Sequence, residues 1–177
     1  MMKRTFLRCF SVVALAWGIF AGPLAAQEYA LVFYARPPAL SPFSLGGHAF
    51  VSWVTEDSLH RFRETVYGFY PAKPRNFLTM WFKTKGKVVE GFEANYAKNL
   101  WMEDCLQVVS DSAFHSSMLA ALRWQGTRYH LFSRNCLAFV DAVADHVGLK
   151  TPSTRRFFIL PKSPTRYLRQ LIRMNAH

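Results

Sequence analysis

Cys136 and His48 are the residues of this sequence whose side chains could together carry out nucleophilic chemistry. Cys136 falls in the first turn of a predicted helix, where backbone N–H groups without helical partners and the helix dipole favour a thiolate. His48 follows Gly46-Gly47 at the start of an alternating segment, which predicts a strand that could deliver a base. The pair predicts attack of the sulfur on a carbonyl through a thioester intermediate, with no metal or organic cofactor. The alternative is that Cys136 is a small buried residue at the head of a core helix.

The helix that carries Cys136 is predicted over residues 136–147. A short strand over 128–132 precedes it, and a break at Ser133-Arg134-Asn135 separates the two elements. Apolar residues follow the 3.6-residue period of an amphipathic helix, at Phe139, Val140, Val143 and Val147. The backbone N–H of Cys136 is the expected oxyanion donor, assisted by the side chain of Asn135.

The order and setting of these motifs resemble a known superfamily. Gly47-His48 at the start of a strand, followed by Asn135-Cys136 at the start of a helix, is similar to the circularly permuted members of the papain-like cysteine hydrolase superfamily. That group holds NlpC-type cell-wall peptidases and, in permuted order, relatives of lecithin:retinol acyltransferase. The resemblance spans roughly residues 45–150. It implies an α+β fold in which an antiparallel sheet packs against the nucleophile-bearing helix, and an amide of cell-wall peptide or a lipid acyl group as substrate.

The resemblance also implies a polar third residue that orients the histidine. If strands 48–54 and 64–70 form a hairpin, the end of the second lies beside the start of the first, which places Tyr70 next to His48. Tyr70 is therefore the predicted third member, although the family usually has His, Asn or Gln in this role. A backbone carbonyl and Glu64 are the alternatives, and Tyr70 could equally be a half-buried strand aromatic.

His130 is the alternative base because it is close to Cys136 in sequence. It lies on a predicted strand and lacks the glycine-flanked approach of His48. The other histidines are predicted at the surface, at positions His60, His115, His146 and His177. The two candidate bases and the cysteines at 105 and 136 lack the close-paired ligand spacing of structural zinc sites, so no metal site is predicted.

The first 26 residues predict a secretory signal peptide. Basic residues at positions 3, 4 and 8 precede an apolar run over 10–20, and small residues end at Ala26. An uncleaved membrane anchor is the alternative. Cleavage after Ala26 would leave residues 27–177, a length that suits one domain with its own core, exported to the periplasm or secreted.

The mature chain would remain strongly basic. The full 177 residues hold 22 Lys and Arg against 11 Asp and Glu, and removal of three basic residues with the leader leaves a net charge of +8. In an exported protein this charge favours anionic lipid headgroups or acidic wall polymers, and no motif for reading nucleic acid is present. Residues 151–177 hold six basic residues and no acidic ones. The helix predicted from Ser163-Pro164 would either lie on a membrane surface or dock on the domain.

The two cysteines of the mature chain leave one question open. A disulfide between Cys105 and Cys136 is possible in an exported protein, and it would favour a non-catalytic module that binds wall or membrane. The predicted strand 103–109 around Cys105 and the size of the domain favour free thiols instead.

The remaining segments predict scaffold elements. Residues 29–34 predict a strand, and Asp111-Ser112 predicts the N-cap of a helix that ends before Gly126. The apolar positions of that helix are Phe114, Met118, Ala121 and Leu122. Residues 76–100 interleave aromatic and basic side chains, which predicts a substrate-facing wall, a membrane-contacting patch or part of the core.

Overall fold

The computed structural model describes residues 28–37, 47–57, 59–72, 83–91, 103–152 and 163–176. These residues form an α+β domain with six strands and three helices. The strands are β1 (Glu28–Arg36), β2 (His48–Glu56), β3 (Phe62–Pro71), β4 (Thr84–Glu90), β5 (Glu103–Val108) and β6 (Arg128–Tyr129). The helices are α1 (Asp111–Leu122), α2 (Cys136–His146) and α3 (Pro164–Asn175). The predicted leader over 1–26 and His177 lie outside the described residues, as does most of the aromatic and basic segment.

The strands form one sheet in the order β5-β1-β2-β3-β4-β6, in which all neighbours are antiparallel. The predicted antiparallel sheet with the helix from Cys136 packed on it is confirmed. β1, β2, β3 and β4 follow one another as a meander, so β2 has a strand on each side. The first residue of β2, His48, therefore lies between the end of β1 and the end of β3.

The two faces of the sheet carry different residues because side chains alternate along a strand. One face packs against the helices and forms the core, with Leu31, Phe33, Ala35, Ala49, Val51, Trp53 and Phe69. The helices contribute Phe114 and Ala121 from α1 and Phe139, Val140 and Val143 from α2. Trp53 also donates a buried hydrogen bond of 2.9 Å from Nε1 to Oγ of Ser117, which fixes α1 on the sheet. The register places Arg36, His48 and Phe50 on the opposite face.

Strand β4 was not predicted from the sequence, because lysines and Gly86 interrupt its apolar pattern. The structure gives a reason for the glycine. A Cβ at Gly86 would overlap the ring of Phe69 on the neighbouring strand. Glycine in this strand thus makes room for a core aromatic rather than marking a turn.

Most element boundaries differ from the prediction by one or two residues, and the largest differences lie around helix α1 and strand β6. The strand expected over 128–132 ends at Tyr129, because a turn follows in which His130 and Arg134 form an isolated bridge. The N-cap of α1 is Ser110, whose side chain accepts from the N–H of Ala113, rather than the predicted Asp111-Ser112. The helix ends at Leu122, before Gly126 as predicted, but Leu122 is 41% exposed and does not belong to the buried face.

The C-terminal helix α3 docks on the domain. Ser163 and Pro164 are its N-cap and first residue, as predicted. Its apolar face is buried against β1 and β5 through Tyr167, Leu168 and Leu171, whereas Arg166, Arg169 and Arg173 are exposed. Tyr167 donates a 2.7 Å hydrogen bond to Asp141 of α2. Of the two predicted settings, the structure has the docked one. Among the described residues, no helix is both long and apolar enough to cross a membrane.

Candidate active site

The start of α2 is fixed by the side chain of Asn135. Its Oδ1 accepts hydrogen bonds of 3.0 Å from the N–H groups of Leu137 and Ala138, which have no partner within the helix. Its Nδ2 donates to the carbonyl of Leu131 at 2.5 Å, so the amide clamps the preceding turn onto the helix. One hydrogen of the Nδ2 group remains for another acceptor, and the predicted oxyanion contact is restricted to that hydrogen.

The thiol of Cys136 lies at the start of β2. The backbone N–H of Ala49, the residue after His48, hydrogen-bonds the sulfur, and the N–H groups at the helix start act on its pKa in the same direction. The sequence predicts that the helix end favours the thiolate, and these groups act in that direction. Burial outweighs them and raises the pKa of the Cys136 thiol. The resting sulfur is therefore protonated near neutral pH, and nucleophilic attack needs a base.

His48 is a buried histidine at the end of the sheet nearest this thiol. Its exposed fraction is 4%, and its backbone is paired with Arg36 at the end of β1. The ring of Tyr70 lies against the His48 ring, with centroids 4.3 Å apart and planes inclined by 33°. Phe50 stacks on the same imidazole at 5.8 Å. The predicted hairpin thus brings Tyr70 beside His48, and two aromatic rings limit the orientations open to the imidazole.

Tyr70 connects the histidine to the cysteine. Its pKa is raised chiefly by burial and further by the negative charge that Cys136 carries once ionised, while Arg36 opposes both effects through its charge and a hydrogen bond to the hydroxyl. One side chain therefore contacts the His48 ring, bonds Arg36 and lies near Cys136. The catalytic role predicted for Tyr70 is not tested by this geometry, but its position is the predicted one.

Arg36 belongs to this cluster although the sequence reasoning missed it. It is the last residue of β1 and lies opposite His48, and its positive charge partly offsets the rise that burial causes in the pKa of Cys136. The available signal was a single arginine closing an apolar strand immediately before two prolines. Such a residue is usually read as a solvated strand end, and only the register of β1 against β2 shows where it lies.

Gly47 allows the close approach of these strand ends. Its φ of 73° is in the left-handed region that favours glycine. A Cβ there would lie 2.6 Å from the carbonyl oxygen of Arg36 and 3.2 Å from Cδ of Pro164, the first residue of α3. The glycine ahead of the histidine is therefore required by both backbone conformation and space.

The alternative partners named from the sequence lie in other settings. His130 Nδ1 is 2.8 Å from Oγ of Ser133 within its own turn. Glu64 accepts a 2.6 Å hydrogen bond from Ser52. It is paired with Val54, at the other end of β2 from His48, so it does not orient His48. The predicted surface histidines at 60, 115 and 146 are exposed, which confirms that prediction.

Both described cysteines are free thiols. Cys105 is half-buried on the edge strand β5, opposite Phe33. Burial and the charge of Asp104 raise its pKa. Within the described ranges, no group of three or more His, Cys, Asp or Glu residues could hold a metal ion.

The fold is similar to a solved structure of a secretion system effector. The chain aligns with the crystal structure of the type VI secretion system effector TseH, with a TM-score of 0.53 and 18% sequence identity. The alignment covers 81% of this chain and 87% of that chain. At this identity the similarity bears on the fold alone. No protein-family model matches the chain, and no curated protein sequence matches it.

Proposed function

We propose that this protein is an exported thiol hydrolase of the permuted papain-like type, which cleaves an amide bond of cell-wall peptide. The observation that carries the proposal is the setting of the Cys136 sulfur. It lies at a helix start, is hydrogen-bonded by the N–H that follows His48, and shares Tyr70 as a neighbour with that histidine. Nucleophilic acyl transfer requires a thiol and a base that can take its proton, and His48 is the proposed base.

The mechanism follows from the protonated state of the resting thiol. His48 takes the proton of Cys136 as the sulfur attacks the amide carbonyl, which forms a carbon–sulfur bond and places negative charge on the carbonyl oxygen. The backbone N–H of Cys136 and the remaining Nδ2 hydrogen of Asn135 are the donors for that oxygen. His48 returns the proton to the leaving amine as the carbon–nitrogen bond breaks. A water molecule, activated by the same imidazole, then hydrolyses the thioester and restores the thiol.

Separate observations support export and the wall substrate. The basic leader over 1–26 has the pattern of a secretory signal peptide, and the structural neighbour is by its title an effector of a secretion system. The positive charge of the chain suits anionic wall polymers. The docked helix α3 buries its apolar face, so that face is not available to a lipid surface.

The test is incubation of the purified protein with peptidoglycan, followed by measurement of newly released amines. Cys136→Ser should abolish release and His48→Ala should reduce it severely, whereas Cys105→Ser should leave it unchanged. A parallel incubation with phospholipid vesicles measures free fatty acids. Fatty acid release that depends on Cys136 would replace the amidase with a lipid acyl hydrolase. No Cys136-dependent product from either substrate, with the fold intact, would favour a non-catalytic binding module.

A further inference from the structure

Three neighbouring strands deliver charged or polar side chains to one end of the sheet. Arg36 ends β1, His48 begins β2 and Tyr70 lies near the end of β3. Arg36 and His48 are directly paired across the strands, and side chains of such a pair lie on the same face. The guanidinium hydrogen-bonds the hydroxyl of Tyr70, whose ring lies 4.3 Å from the His48 ring. Arg36 thus lies on the same side of the sheet as His48 and contacts Tyr70, and it is not extended into solvent.

We propose that Arg36 is the fixed cation of this site, which stabilises the Cys136 thiolate and holds Tyr70 against the imidazole. This inference deepens the proposed function and rests on it for its catalytic meaning. Arg36 is a positioning residue, since it acts through Cys136 and Tyr70. A guanidinium suits the task because it is always charged and its planar donors can serve two acceptors in fixed geometry.

The charge matters because the thiol is buried. The side chains whose charges interact with that of the sulfur are Arg36 from β1, Tyr70 from β3 and Tyr129 from β6, and His48 of β2 directly precedes Ala49, whose N–H bonds the sulfur. The two tyrosines are neutral in their resting form, and burial raises the pKa of each. Arg36 is therefore the permanent positive charge among them. Its charge does not depend on the protonation state of His48, so it can stabilise the thiolate both before the sulfur attacks and as the thioester is hydrolysed.

The first experiment measures the pH profile of Cys136 alkylation by iodoacetamide in a Cys105→Ser background. Arg36→Gln should move the midpoint upward by about one pH unit or more, which lowers the rate roughly tenfold at a given pH below the midpoint. Arg36→Lys keeps the charge and should recover most of the shift. Arg63→Gln removes an exposed arginine from the opposite end of β3 and should leave the profile unchanged. An unshifted midpoint in a folded Arg36→Gln variant would overturn the proposal, and so would a shift that Arg36→Lys does not reduce.

The second experiment needs no variant and decides the matter if Arg36→Gln does not fold. A fixed cation beside a thiol attracts an anionic reagent, whereas Asp104 beside Cys105 repels it. In the unmodified protein, the ratio of the iodoacetate rate to the iodoacetamide rate should be several-fold higher at Cys136 than at Cys105, measured by mass spectrometry of labelled peptides. An equal or lower ratio at Cys136 would overturn the proposal. Neither experiment uses a substrate, so each can succeed or fail independently of the hydrolase assay.

Discussion

The rings of Tyr70 and His48 lie face to face at an incline, with centroids 4.3 Å apart. A hydrogen bond from a third catalytic residue is one way to orient an imidazole, and packing between rings is another. In this protein the aromatic contact comes with a hydroxyl that is already bonded to Arg36. Tyr70 therefore makes two contributions, the packing of its ring on His48 and the hydrogen bond of its hydroxyl with Arg36. Variants of Tyr70 can measure each one individually.

The contribution of Tyr70 should lie mainly in its ring. Tyr70→Phe keeps the contact with His48 and loses the bond to Arg36, so we expect a modest loss of amine release from peptidoglycan. Tyr70→Leu removes the aromatic face and should cost roughly ten- to a hundredfold more, because a misplaced base loses catalytic effectiveness steeply. Tyr67→Phe, on the other face of the same strand, is the control. Equal losses in the Phe and Leu variants would show that the hydroxyl, not the ring, is what matters.

The reactivity of the two thiols should differ within one protein. Near neutral pH, Cys136 should react with iodoacetamide much faster than Cys105, and His48→Ala should remove most of that advantage. Burial raises the pKa of both thiols, but backbone N–H groups and Arg36 counteract it at Cys136, while Asp104 adds to it at Cys105. Labelled peptides quantified by mass spectrometry measure the two rates together. Equal rates, or a fast Cys136 that is indifferent to His48→Ala, would remove the dyad.

Gly47→Ala should damage the site more than its backbone strain alone predicts. Forcing alanine to a φ of 73° costs about 1–2 kcal/mol, and its Cβ would also press on the carbonyl oxygen of Arg36. Gly148 is the matched control, since its φ is 80° and a Cβ there meets nothing within 4 Å. We expect both variants to lose stability in denaturant titrations, and only Gly47→Ala to lose amine release at a temperature where both remain folded. Similar activity in the two would contradict a spacing role for Gly47.

Helix α3 should contribute to stability and not to lipid binding. Leu171 is fully buried, so Leu171→Ala should destabilise the domain by about 2–5 kcal/mol, whereas Ile172→Ala, at a residue 37% exposed, should cost much less. Arg166→Gln with Arg173→Gln changes the exposed side of the helix and should leave the melting temperature nearly unchanged. Sedimentation with anionic vesicles should give the same bound fraction for the Leu171 and Ile172 variants while they are folded. Loss of vesicle binding on changing the two apolar residues would restore the membrane-surface alternative.

The site could be predicted from the sequence where its residues follow local rules. Asn135 and Cys136 were recognisable because a capping residue and an apolar helical period mark a helix start. Tyr70 could be placed because a hairpin register relates the end of one strand to the start of the other. Arg36 could not, since its position depends on the register of β1 against β2, which no local pattern in the connection over residues 37–47 indicates. The direction of the pKa shift of Cys136 could not be predicted either. The sequence indicates the helix start, which lowers the pKa, but it does not indicate the burial that raises it.

In the fold as well, elements marked by local patterns were predictable and those that depend on contacts between strands were not. Strands with continuous apolar or alternating patterns, such as β1 and β2, were predictable, whereas β4 was hidden by Gly86 and its lysines. That glycine is explained only by the Phe69 ring above it, a contact between strands. The free state of Cys105 likewise follows from its place on β5, at the edge of the sheet, rather than from the even number of cysteines.

The meander of β1, β2 and β3 has a consequence for the order in which the site can assemble. Arg36, His48 and Tyr70 come from consecutive antiparallel strands, whose pairing closes short loops, while Cys136 arrives from a helix 66 residues after Tyr70. Short loops close at lower entropic cost and usually sooner than long ones. If the chain is exported N-terminus first, as proposed above, the pocket wall can therefore form before the thiol emerges. The sulfur would then spend little time unprotected in a compartment that oxidises cysteines.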